Sequence, residues 1–223
     1  IIDKQSLLRF LDYNTTPQNK SPYIPTGLFI NTVQILDDYD MRITGYVWQK
    51  YLVSKRRKDE NIPDLHYKYK GVIFPEAKIN KYELTDSLTI SQNNTLMILY
   101  RWQFDIEVRE QFSNSLYPFG KHEIGIQLWS NSLDDNSILI PDLESYVQLY
   151  PDICTGINDR ITLNGWNIMA SFFSYNQTSY LCNFGNTQTA GMSNFPELYF
   201  NIIVSRKFID NLVCRVIPLM VVL

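Results

Sequence analysis

Between Leu96 and Val108 every even position is apolar: Leu96, Ile98, Tyr100, Trp102, Phe104, Ile106 and Val108. From Arg101 onward every odd position is polar: Arg101, Gln103, Asp105, Glu107 and Arg109. Successive side chains of a strand point to opposite faces, so a period of two is the signature of a half-buried strand. The run leaves no room for a helix. It predicts one long strand, or two strands joined at a bend.

Other strand signals surround it. Gly27 to Leu36 and Met41 to Val53 are two β-rich runs around the acidic turn Asp37-Asp38-Tyr39-Asp40, a hairpin pattern. Gly71 to Phe74 reads as a short strand stopped by Pro75. Ile124, Ile126 and Leu128 alternate with Gly125 and Gln127, and Ile138 to Ile140, Ile161 to Phe173 and Leu198 to Val204 complete the set. Many short strands separated by turn signals imply an all-β sandwich or barrel. A short amphipathic N-terminal helix is expected between Asp3 and Leu11, followed by a Thr-, Asn- and Pro-rich lead-in to Pro25.

Composition narrows the function. The chain has 223 residues, 45% of them hydrophobic and 19% charged, which describes a globular protein. A net charge of -3 gives no general attraction for nucleic acid. The basic run Lys55-Arg56-Arg57-Lys58 is followed at once by Asp59 and Glu60 and reads as a solvated loop. Three cysteines (Cys154, Cys182 and Cys214) and two histidines show no zinc-ligand spacing, although a Cys154–Cys182 disulfide stays open. No nucleophile elbow, HExxH helix or glycine-rich phosphate loop occurs, and no carboxylate pair stands out. His66 and His122 lie in a polar loop and at a strand start. The expectation is a protein that is not an enzyme and needs no cofactor and no metal.

The C-terminus is apolar from Val216 to Leu223, with Pro218 near its start. That run is too short to cross a bilayer, for which a helix needs roughly 20 residues. It reads as the opening turns of a membrane helix, with a C-terminal strand and apolar tail as the alternative. Ile1 is not an initiator methionine, so the chain is expected to be a processed or trimmed fragment.

The segment Tyr117-Pro118-Phe119 sets a rigid apolar knuckle just before a strand. Taken with the other segments in order, it resembles the extracellular domain of the pentameric ligand-gated ion channels (the Cys-loop receptor superfamily). The resemblance is to bacterial members that lack the Cys-loop disulfide, and it covers Thr26 to Leu223. Thr26 to Ile30 opens the first strand, and Ile35 to Asp38 leads into the first turn. Ile73-Phe74-Pro75-Glu76 looks like loop A, and Tyr117-Pro118-Phe119 like the family's aromatic-Pro-Phe signature. Ile138 to Leu143 and Leu163 to Ile168 follow in family order. Arg206 and Pro218 match the arginine before the first membrane helix and the proline within it.

The resemblance implies an immunoglobulin-like β-sandwich of about ten strands, like the ligand-binding domain of nicotinic receptors. It implies three parts: an N-terminal segment (1–25), a ligand-binding sandwich (26–206) and a bridge into the first membrane helix (207–223). Implied too are a homopentamer, attachment to the bacterial inner membrane with this domain facing the periplasm, and agonist sites between subunits. The agonist would be a small amine, a carboxylate or a proton. One side of a site would hold Phe74 and Glu76 (loop A), Trp129, Asn131 and Ser132 (loop B), and Tyr175, Tyr180 and Phe184 (loop C). Loop C would be a long polar connection from Ser174 to Phe195. The opposite side would hold Trp48, Tyr51 and Arg101. Core packing is the competing role for every aromatic named, above all for Trp102, which belongs to the apolar set of its strand. Arg101 has the opposite parity, which favours a surface or pocket role.

Coupling to the membrane would run through Asp37, Asp38, Tyr117, Pro118, Phe119, Gly120 and Arg206. Two departures bear on it. Trp48-Gln49-Lys50-Tyr51 replaces the family's tryptophan-x-aspartate, and Gly120 replaces the aspartate that usually follows the aromatic-Pro-Phe. The acidic partner of Arg206 would then be Asp37, Asp38 or Glu123. The expected function is the sensor domain of a ligand-gated channel. The alternatives are the same sensor joined to another membrane signalling module, or a soluble ligand-binding pentamer.

Overall fold

The structure is a computed structural model that describes residues 6, 7, 9, 23–36, 40–52, 70–92, 95–110, 120–131, 137–146, 155–182, 184 and 192–207. Among the described residues nine strands form two packed sheets: β1 (Tyr23–Ile35), β2 (Asp40–Leu52), β3 (Val72–Ile73), β4 (Ala77–Gln92), β5 (Thr95–Arg109), β6 (Lys121–Ser130), β7 (Ile138–Pro141), β8 (Trp166–Tyr180) and β9 (Met192–Arg206). One sheet has the order β4-β5-β2-β1-β7 and the other β3-β6-β9-β8. All named pairings are antiparallel except β1 with β7. The all-β sandwich of about ten strands is thus the observed fold. At the N-terminus Ser6, Leu7 and Arg9 are helical. Among the described residues no helix is long and apolar enough to cross a membrane.

The period-two run is one continuous strand, β5, at the heart of its sheet. Trp102, Phe104, Ile106 and Val108 point inward and are buried. Their odd neighbours form an outer charge ladder, in which Arg42 grips Asp105 and Lys78 pairs with Glu107. The other sheet answers with Ile124, Ile126 and Leu128 from β6 and Leu198, Phe200, Ile202 and Val204 from β9, all buried in the same core. Burying a large side chain of this kind contributes about 1.5–3 kcal/mol, so this inter-sheet layer supplies the main driving force.

Two features depart from the sequence expectation. β4 is sixteen residues long, yet its sequence carries no clean alternation. Its pairing with β5 shifts register between Ile79 and Lys81 and between Leu84 and Asp86. Each bulge reverses which parity faces inward, so the period is broken on paper while the ladder continues in space. β8 and β9 also pair further than expected, out to Tyr180 opposite Met192. Half of the polar stretch expected as a loop from Ser174 to Phe195 therefore belongs to the paired strands. Side-chain polarity misled because the outer face of this hairpin is polar while its backbone bonds remain paired.

A buried polar network pins the short β3. Gln49 accepts hydrogen bonds from Tyr51 Oη at 2.5 Å and Gly71 N at 2.9 Å.

Candidate functional site

The two sheets bury their inner faces against each other, so residues of opposite parity point outward from the two sides of the sandwich. Each outer face carries one cluster of predicted site residues.

On the four-stranded sheet, Trp129 (β6), Tyr180 (β8) and Phe195 (β9) meet with Phe184 just past the end of β8. Their ring centroids lie 5.4 Å apart for Trp129–Tyr180, 5.7 Å for Trp129–Phe184 and 5.5 Å for Trp129–Phe195, all edge to face. Register explains the grouping. β9 runs between β6 and β8, with Thr178 opposite Phe195 and Gln127 opposite Tyr199. Trp129 thereby stands next to Glu197 across the ladder.

Glu197 is the centre of this cluster. Its side chain lies beneath the rings and the residue is only 1% exposed. It accepts hydrogen bonds from Trp129 Nε1 at 3.1 Å, Thr178 Oγ1 at 2.8 Å and Tyr199 Oη at 3.2 Å, and a short one from Tyr180 Oη. Among the described residues no cation pairs with it. Burying a carboxylate is costly, and four donors offset that cost without cancelling the charge. Beside it the Gln127 Oε1 oxygen is buried without a hydrogen-bond partner among the described residues. Burial, reinforced by Glu197, raises the Tyr180 phenol to about 12, and Tyr199 is pushed up in the same way. Both phenols therefore stay neutral donors across the physiological range. Glu76 is exposed in the turn after β3, and its charge adds to both shifts.

Phe184 is the strained part of the cluster. It is 45% exposed and holds its backbone at φ 48°, a left-handed conformation rarely adopted by a non-glycine residue. Such strain costs on the order of 1–3 kcal/mol and concentrates at ligand clamps. Leu181 beside it is fully exposed, and Cys182 is exposed with a free thiol.

On the five-stranded sheet, Trp48 and Arg101 are direct cross-strand partners. With Phe29, Tyr46, Lys50 and Leu99 they line an open cavity of about 490 Å³. Trp48 lies flat over Gly27 and donates Nε1–H to Asp142 at 2.8 Å. Lys50 reaches the same carboxylate at 2.8 Å. Arg101 is gripped by Asp86 through two bonds of 2.7 and 2.5 Å. A Cβ on Gly27 would stand 2.2 Å from Trp48 Cζ2. Gly27→Ala is therefore expected to tilt the indole off Asp142 and cost about 1–3 kcal/mol, read from the urea midpoint.

Three predicted residues serve the core instead. Tyr51 faces inward and is spent on the Gln49 network. Phe74 packs against Phe104 at 5.3 Å. Tyr175 points inward from β8 and donates to Leu139 O at 2.8 Å. Asn131 is exposed and ties the end of β6 to Lys70 O. Ser132, Asp37, Asp38, Tyr117, Pro118 and Phe119 lie outside the described residues. Gly120 is buried at the start of β6, and Arg206 lies over the Trp166 ring at 4.6 Å.

Sequence reading missed Glu197, Gln127, Thr178, Phe195 and Tyr199. A usable signal existed, since Glu197 is the lone charge in the run Phe195 to Ile203.

One further carboxylate titrates. Glu110 accepts a bond from Gly125 N at 3.2 Å, and burial raises its pKa, helped by Glu76 and Glu123. A carboxyl raised in the folded state binds its proton more tightly there. Its contribution is complete at low pH and is lost as pH rises through the folded pKa. Glu110→Gln is expected to stabilise at pH 7 by a few tenths to about 1 kcal/mol after allowance for solvent screening. No gain is expected at pH 4, and urea unfolding at the two pH values checks both.

Compared with known proteins, the chain matches no protein-family model and no curated protein.

Proposed function

We propose that this chain is the periplasmic ligand-binding domain of a bacterial pentameric ligand-gated ion channel subunit, and that its agonist is a small organic ammonium ion. The observation that carries the reading is the buried Glu197 carboxylate, unpaired with any cation among the described residues and bonded to Trp129 and Tyr180, on which Phe184 and Phe195 pack. Ring faces and a desolvated carboxylate both attract a cation, the rings contributing about 0.5–2 kcal/mol each. The rings pack on one another here, so a ligand enters by displacing exposed Phe184.

The same geometry argues against a carboxylate agonist. Arg101, the residue suited to bind one, already has its Nε and one terminal nitrogen on Asp86. It argues for more than one copy as well. The Glu197 cluster and the Trp48–Arg101 cavity lie on opposite outer faces of the sandwich, so one ligand can touch both only between two subunits. The segment after Lys207 would carry the membrane helices, and the domain itself performs no covalent chemistry.

Isothermal titration with an amine series (propylamine, phenethylamine, choline) and with propionate tests the ligand class. Saturable binding of amines and none of propionate is expected; the reverse order sinks the ammonium reading. Current recordings from the full-length protein in bilayers test the channel. Amine binding without current under any condition would favour a sensor joined to another signalling module.

A further inference from the structure

We propose that His122, Trp166 and Arg206 form a proton-operated latch at the end of the sandwich where β9 leaves it. In the latched state the neutral imidazole holds Trp166 under the Arg206 guanidinium, and protonation releases the ring.

The three residues come from three neighbouring strands. His122 opens β6, Trp166 opens β8, and Arg206 ends β9 between them, directly opposite Trp166. The imidazole meets the indole edge to face at 5.3 Å, and the guanidinium lies over the indole at 4.6 Å. Trp166 is buried and belongs to the core. One indole thus has a cation on its face and an uncharged imidazole at its side.

Gly120 makes room for this arrangement. A Cβ there would stand 3.2 Å from His122 Nε2. The position that lacks the expected aspartate therefore lies directly against the imidazole, and a larger side chain there would press on it. The cation–π contact with Trp166 is one interaction of Arg206 in this arrangement.

Protonation places a second cation on the same indole. Among the described residues Arg206 is the charge acting on His122; Lys121 and Glu123 flank it on β6 with side chains on the opposite face. Burial first, and Arg206 second, hold the imidazole below its ordinary pKa. The sign follows. A histidine lowered in the folded state stabilises the latched form at neutral pH, and that stability drains away as pH falls below about 6.5. The released indole has somewhere to go, because Trp166 also walls a surface cleft of about 630 Å³ with Ile161, Leu163 and Lys207.

NMR on this chain tests the latch directly. There are only two histidines, so His66→Gln leaves the His122 imidazole as a single signal. It is expected to titrate below pH 6.5, with the Trp166 indole N–H resonance moving at the same midpoint. His122→Gln should abolish the indole transition. Arg206→Gln should raise the imidazole midpoint by about 0.5–1 unit. Should that variant not fold, Trp166→Phe replaces it and should raise the midpoint by opening the imidazole to solvent. A midpoint at or above 6.5, or an indole transition that survives His122→Gln, overturns the proposal. The latch rests on the proposed function only for its consequence, acid modulation of gating. The titration reads the domain alone, so absent currents would remove the channel reading and leave the latch standing.

Discussion

Glu197→Gln is expected to weaken ammonium binding by about 2–5 kcal/mol, or roughly 30-fold to several thousand-fold, while leaving a folded domain. The substitution preserves size. The amide oxygen can still accept from Trp129 Nε1 and Tyr180 Oη, and the hydroxyls of Thr178 and Tyr199 can turn to accept from the two amide hydrogens. What disappears is the charge. Glu197→Ala would be a poorer probe, because it strands those donors in a buried site and costs stability as well. Calorimetric titration of the glutamine variant with propylamine, alongside its urea midpoint, separates the two effects. Unchanged affinity in a folded variant would remove Glu197 from the site.

Phe104→Ala is expected to cost about 3–5 kcal/mol, the upper range for a core truncation. Phe104 is 0% exposed, sits mid-strand on β5 and packs its ring against Phe74. Paired strands flank it on both sides, through Gly45 of β2 and Tyr82 of β4, so the backbone cannot close the void cheaply. Domains of this kind are stable by only about 5–15 kcal/mol, so the loss consumes a large share of the total. Urea unfolding at 25 °C gives the number. A cost below about 1.5 kcal/mol would mean that Phe104 is not at the centre of the core. An equivalent truncation at exposed Leu88 should fall within about 0.5 kcal/mol of zero.

The strands that were plain in the sequence share a property. β5, β6 and the apolar part of β9 each turn an apolar set of one parity into the core, so parity in the chain maps onto sides of a sheet. β4 was invisible for the opposite reason. Two bulges shift its parity, and much of its length is exposed at an edge, where Ile79, Leu84 and Leu88 remain open to water. The parity argument also separated Arg101 from Trp102 correctly: Trp102 is buried and Arg101 lies on the outer face. It would have separated Trp48 from Tyr51 too, since they lie three apart on one strand and face opposite ways.

The site was legible only in fragments. Trp129, Tyr180 and Phe184 were named from their order along the chain, but the carboxylate that gives their cluster a chemical purpose was not. Hydrogen-bonding partners from three strands converge on Glu197, and convergence depends on register. A shift of one residue between β6 and β9 would turn Trp129 and Glu197 to opposite faces.

Alternation and turn residues by themselves determined that this chain makes an all-β sandwich or barrel and which parity of β5, β6 and β9 turns to the core, because strand parity is a local property. The tertiary structure decided which outward residues meet. It separated the Glu197 cluster from the Trp48–Arg101 cavity, sent Phe74, Tyr51 and Tyr175 inward, and brought His122 and Arg206 onto one indole. Those outcomes depend on cross-strand register, bulges and sheet order, which are set by pairing between distant segments and leave no periodic trace along the chain.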